Sequence, residues 1–233
     1  MSLPVIAAPE DFVTLVSQKQ PVKYRAYLVG EERLLLMAQQ SNSPQEIERA
    51  VRQIIERCTF GALDVATLPS FDVELLFLQL RAKSLSNVID VRFRCKNETD
   101  GKMCDTPVPI TIDIADIKLT TPPGHSRKVM LSDSIGVMMK YPTAAVAVTD
   151  PVAVIAACLD SVFTATGDVF EAAQESPDEV LRFVETLTLP QIGLIRETFF
   201  DTMPTLQYAF TFVCPKCGWT EAVVLKGLMD FFD

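Results

Sequence analysis

Apolar residues recur along this chain with two periods, and the period changes at recognisable places. Val22, Tyr24, Ala26 and Leu28 alternate with Lys23, Arg25 and Tyr27, as in a strand with one buried face. A helix is predicted to follow through "EERLLLMAQQ". The next helix carries its own start signal, with Ser43 at the N-cap, Pro44 at the first helical position and Glu46 placed to reach back to the cap amide. Ile47, Ala50, Val51, Ile54, Ile55 and Cys58 then form one apolar stripe, which puts Cys58 in a core. "SFDVELLFLQLRAKSL" predicts a third helix, apolar on nearly all sides until Arg81 and Lys83, and so either wholly buried or shared with a neighbour.

From Val88 the period falls to two. "VIDVRFRC" and "PVPITIDI" read as a hairpin in which Val108, Ile110, Ile112 and Ile114 face one way. The segment from Gly124 to Tyr141 reads as two short strands or a strand and a turn. Three more helices are predicted: "TDPVAVIAACLDSVF" behind Asp150 and Pro151, with Cys158 as a core residue; "SPDEVLRFVETL" with a Ser176–Glu179 capping box; and "TLPQIGLIRETFF". "TLQYAFTFVC" and "WTEAVVL" close the chain with a second hairpin. The fold class is α+β, with helices packed around two β-hairpins that together form a zinc-ribbon-like antiparallel sheet. A single domain is expected over 21–233, its ribbon formed by about 88–115 and 205–225. Residues 1–20, with Pro4 and Pro9 and no clean period, read as an arm. That arm and the ending "LKGLMDFFD" are expected to be mobile until they order against partners.

The hairpins carry the chemistry. Cys214 and Cys217 lie in "CPKCG" at the tip of the second, where proline stiffens the turn and glycine permits the left-handed backbone that aims amides at sulfur. Cys95 ends the entering strand of the first hairpin and Cys104 precedes its leaving strand. Hairpins lying side by side would bring four thiolates together as the shell of one structural zinc ion per chain. Eight residues, "KNETDGKM", separate the first pair, against two to four in an ordinary knuckle, so that loop has to bulge outward. Unligated thiols and an unlinked redox Cys-x-x-Cys pair are the alternatives; the redox reading is disfavoured because strand, not helix, follows Cys217.

Composition narrows the class of function. In 233 residues, 48% are hydrophobic, ample for a core, and no window supplies the roughly 18 apolar residues of a membrane span. "MSLPVIAAPEDFVTLV" does not read as a secretion signal, so the chain is read as a soluble cytoplasmic protein whose six cysteines stay reduced. A formal net charge of −9 opposes a phosphate backbone and favours protein partners over nucleic acid. No phosphate loop, nucleophile elbow or paired-histidine motif is present, and four thiolates leave zinc no open position, so no enzyme is expected. The sole histidine, His125, reads as a surface-loop residue.

"VKYRAYLVGEERLLLMA", "CTFGALDVATLPSFDVELLFLQLRAKSL", the cysteine-bearing strand after it and the final "CPKCG" resemble the small baseplate hub subunits of T-even-type contractile-tailed bacteriophages. The similarity runs through most of the chain and is most specific over 22–96, departing at "LSN" (85–87) where a glycine is expected. The resemblance implies a structural component of the hub or inner baseplate that binds other tail proteins, located in the virion and assembled in the host cytoplasm. A transient hub-assembly chaperone is the alternative. A zinc-ribbon transcription adaptor, which would need a basic patch beside the ribbon, and a metal-dependent hydrolase stand further off.

Overall fold

The computed structural model describes residues 6–18, 20–41, 43–99, 101–143, 150–227 and 230. In chain order its elements are β1 (Glu10–Val13), β2 (Val22–Arg25), α1 (Val29–Gln40), α2 (Pro44–Cys58), α3 (Ser70–Ser84), β3 (Val88–Arg94), β4 (Glu98–Thr99), β5 (Lys102–Met103), β6 (Pro107–Asp113) and β7 (Lys118–Thr120). There follow β8 (Lys128–Met130), β9 (Ile135–Met139), α4 (Pro151–Ala157), β10 (Leu159–Thr164), β11 (Val169–Glu171), α5 (Pro177–Glu185), α6 (Leu189–Thr198), β12 (Thr205–Val213) and β13 (Thr220–Lys226). The class is mixed α and β, with six helices and several small antiparallel sheets among the described residues. The chain gathers into two compact units: 1–65, 71–120 and 205–233 in the first, 66–70 and 121–204 in the second.

The first unit is built from the patterned segments. Ser43 accepts the Glu46 amide at the start of α2, and Ala50, Val51, Ile54, Ile55 and Cys58 are buried along the expected stripe. Leu76, Phe77, Leu78 and Leu80 of α3 are almost fully buried within the chain, so this helix needs no partner to cover it. β3 and β6 pair over their full lengths from Val88↔Asp113 to Arg94↔Pro107, turning Ile89, Val91, Ile112 and Ile114 onto Leu78 and Leu206. β12 lies between β13 and β7, and Thr205 pairs with Thr120, so the chain leaves this unit and returns to it at neighbouring positions. The two hairpins belong to separate sheets and do not form the one ribbon sheet expected from sequence.

Residues 6–18, read from sequence as part of an arm, pair and pack within the first unit. β1 pairs with β2 from Glu10↔Arg25 to Val13↔Val22, and Leu15 is buried. The fully buried Asp72 carboxylate accepts the Val16 and Ser17 amides, both at 2.9 Å. A short polar side chain on α3 thus takes up two backbone donors just past the strand's end and ties that segment to the helix. Of the other expected arm, most of the ending 228–233 lies outside the described residues.

In the second unit a four-stranded sheet of order β11-β10-β9-β8 packs against α4, α5 and α6 around Val129, Val137, Met139, Leu159, Ile195 and Phe199. Asp150 caps α4 through the Val152 amide, and Ser176 and Glu179 cap α5 reciprocally, as their spacing predicts. The helix predicted through "LDSVF" instead stops at Ala157. From Leu159 the chain is strand β10, because Leu159 and Ser161 turn inward and pair with β9. Cys58 and Cys158 are both core residues.

Candidate metal centre

The tips of β3–β6 and β12–β13 bring together the four cysteines named from sequence. The Sγ atoms of Cys95, Cys104, Cys214 and Cys217 all lie within 4.8 Å of one another. Cys95 faces Cys217 at 3.6 Å and Cys104 faces Cys214 at 3.8 Å, so each contact crosses from one hairpin to the other. All four are free thiols. A disulfide needs sulfurs at about 2.05 Å, so these are contacts and not bonds.

Apolar residues hold the hairpins together. Cys95, Phe212 and Cys214 are fully buried, with Phe93, Val108, Trp219 and Val223 packed around them. The Phe93 ring lies 4.8 Å from that of Phe212 and stands edge-on to that of Phe210. Cys104 is half-buried and Cys217 exposed, which gives the cluster a closed side and an open side.

Polar groups attend the sulfurs. The Asn97 side-chain amide reaches the Cys217 sulfur at 3.6 Å, and the Thr106 hydroxyl lies 3.2 Å from that of Cys104. The backbone amide of Trp219 holds the Cys217 thiol down at about 6, and the Thr106 hydroxyl lowers that of Cys104. Burial pushes the Cys95 thiol up to about 12. Four thiolates this close would repel one another, a penalty that a divalent ion would remove.

The eight residues between Cys95 and Cys104 bulge outward as a two-stranded finger, β4 on β5, turning through Gly101 at φ 71°. The Asp-Gly dipeptide at 100–101 was the available turn signal in the sequence. The roles of Asn97 and Thr106 had no such signal. His125 is not a simple surface residue: its ring stacks on Tyr141 and Phe199, with Nδ1 2.9 Å from the Thr202 hydroxyl and Nε2 2.8 Å from that of Tyr141.

Two hairpins thus bring four free cysteines together, and comparison with known proteins supplies the family. The chain belongs to the family described as T4 bacteriophage base plate protein, whose model matches residues 8–233. It is 26% identical over 216 residues to the baseplate hub assembly protein gp26 of Enterobacteria phage T4, covering 91% of this chain and 92% of that protein. No solved structure matches. Among the described residues, no helix is long and apolar enough to cross a membrane.

Proposed function

We propose that this chain is a structural subunit of the hub or inner baseplate of a contractile phage tail, where it binds other tail proteins and catalyses no reaction. The observation that carries this reading is the family match over residues 8–233. The physical character of the chain supports it. Its net charge of −9 disfavours nucleic acid. Ile6, Phe12, Val29, Leu36 and Met37 present exposed apolar surface of the kind that partner proteins cover. Its four clustered cysteines fit a role in the fold and not in catalysis, because four thiolates around an ion would leave no coordination position for water or substrate.

The name of the T4 relative favours a second reading, a transient chaperone of hub assembly in the host cytoplasm. The two separate on where the chain ends up. Mass spectrometry of purified virions, with antibody labelling of their tails, should find it in fixed copy number at the baseplate. Its presence in infected-cell lysates and absence from finished virions would establish the chaperone instead. A virion of normal composition and infectivity from a phage lacking the gene would remove both.

A further inference from the structure

The two cysteine hairpins share one local design despite their different spacings. In the β12–β13 turn the Cys214 N–H donates to the Trp219 carbonyl at 2.8 Å and the Gly218 N–H to the Cys214 carbonyl at 2.9 Å, with Gly218 at φ 73°. In the β3–β6 turn the Cys95 N–H donates to the Thr106 carbonyl at 3.0 Å and the Asp105 N–H to the Cys95 carbonyl at 3.1 Å, with Asp105 at φ 44°. The Trp219 amide is directed at the Cys217 sulfur and the Thr106 amide at that of Cys104. Cys95 therefore corresponds to Cys214, Cys104 to Cys217, Asp105 to Gly218 and Thr106 to Trp219. The surplus residues are set aside: the Cys104 N–H donates to the Asn97 carbonyl at 2.8 Å, and 98–103 leave and return between them as the β4–β5 finger. The first half-site is a Cys-x-x-Cys knuckle with a finger inserted in it.

We propose that these matched knuckles bind one zinc ion per chain through Cys95, Cys104, Cys214 and Cys217, and that the ion locks the β3–β6 hairpin onto β12–β13. A regular tetrahedron with Zn–S arms of about 2.3 Å has edges of about 3.8 Å. The two cross-hairpin contacts, 3.6 and 3.8 Å, already have that length. The widest separations, within 4.8 Å, need to close by about 1 Å at most. The donor set excludes cations that demand oxygen, such as magnesium and calcium, and suits zinc or a single iron. Zinc is the assignment because its filled d shell imposes no geometry on a shell of unequal edges. Asn97, Thr106 and the Trp219 amide supply the outer hydrogen bonds that orient such ligands.

The ion has work to do here. The hairpins lie in separate sheets, and residues 122 apart in sequence meet at Cys95 and Cys217. Apolar side chains fill the inner part of the joint, and at the tips, where Cys217 is exposed, the two hairpins meet through sulfur, in the Cys95–Cys217 and Cys104–Cys214 contacts and that of the Asn97 amide with Cys217.

The test uses the purified full chain, and its outcome does not depend on the baseplate reading. Elemental analysis should find about one zinc per chain. A mercurial that titrates the thiols should release that zinc in step with four of them. Cobalt(II) replacing zinc should give the visible bands of a tetrahedral thiolate site. Cys217→Ser should lose the metal, while Cys58→Ala, outside the centre, should keep it. A protein with all six thiols free, no metal and the same melting temperature with or without chelator would overturn the proposal. So would two disulfides, or a red protein carrying iron. If Cys217→Ser fails to fold, the mercurial release from the unaltered chain still decides.

Discussion

Replacing Asp72 by alanine tests whether the amino-terminal segment is part of the folded unit or an arm lying on it. The Asp72 carboxylate is fully buried and accepts two amides, Val16 and Ser17, each at 2.9 Å. A hydrogen bond to a charged group is worth about 1.5–3 kcal/mol net, so the pair contributes about 3–6 kcal/mol. Two effects reduce the loss: alanine also removes the cost of burying a carboxylate, and the freed amide of exposed Val16 can turn to water. The expected destabilisation is therefore about 2–4 kcal/mol. Asp72→Asn, which keeps one carbonyl oxygen, should lose about half as much. Urea unfolding reads the global change, and hydrogen exchange at residues 16 and 17 reads the local one. Leu15 is buried beside the clasp, so releasing it should also open 6–18 to protease. An Asp72→Ala protein with the wild-type midpoint and undiminished protection at both amides would refute the clasp.

Deleting 98–103, so that Asn97 joins Cys104 directly, should leave a metal-competent Cys-x-x-Cys knuckle, measured as metal content equal to that of the full chain; loss of the ion would show that the finger shapes the site. Phe77→Asp should yield an unfolded or insoluble product by circular dichroism, since Phe77 is 3% exposed and an unpaired interior charge costs several kcal/mol; a folded, soluble, assembly-defective chain would mean that α3 faces a partner. Burial, with Arg127 nearby, holds His125 below its ordinary value, so the folded state keeps the ring neutral where the unfolded chain would take up a proton. Its contribution is fully present above about pH 6.5 and is lost as pH falls below that value, so unfolding free energy should decline less steeply between pH 7 and 5 in His125→Gln than in the wild type; identical slopes would refute this.

The sequence was most legible where one local rule decided the outcome. The Ser43-Pro44 and Ser176-to-Glu179 starts placed α2 and α5, since a cap forms within four residues and needs nothing from the rest of the fold. Alternation placed β3 and β6 with their inner faces, because a half-buried strand writes its burial into every second residue. "CPKCG" announced a knuckle for the same reason, being a turn with its special backbone position, Gly218, written into it.

What the sequence left open was settled by partners distant along the chain. "LDSVF" follows a well-capped helix, and only β9 lying alongside made it a strand. Residues 6–18 carry no period of their own; β2 and the buried carboxylate of Asp72 fix them, and Asp72 reads in sequence as an ordinary first-turn acid. His125 had no motif because its stack is assembled from Tyr141, Phe199 and Thr202. The spacing of Cys95 and Cys104 looked too wide for a knuckle until the Asn97 carbonyl met the Cys104 amide and set the finger aside. The sequence by itself determined the four thiols and the hairpins that carry them, because residue identity and period are local properties. Their convergence within 4.8 Å, from two sheets and across an inserted second unit, is a matter of tertiary packing, since contacts between residues about 120 apart leave no periodic trace in the chain.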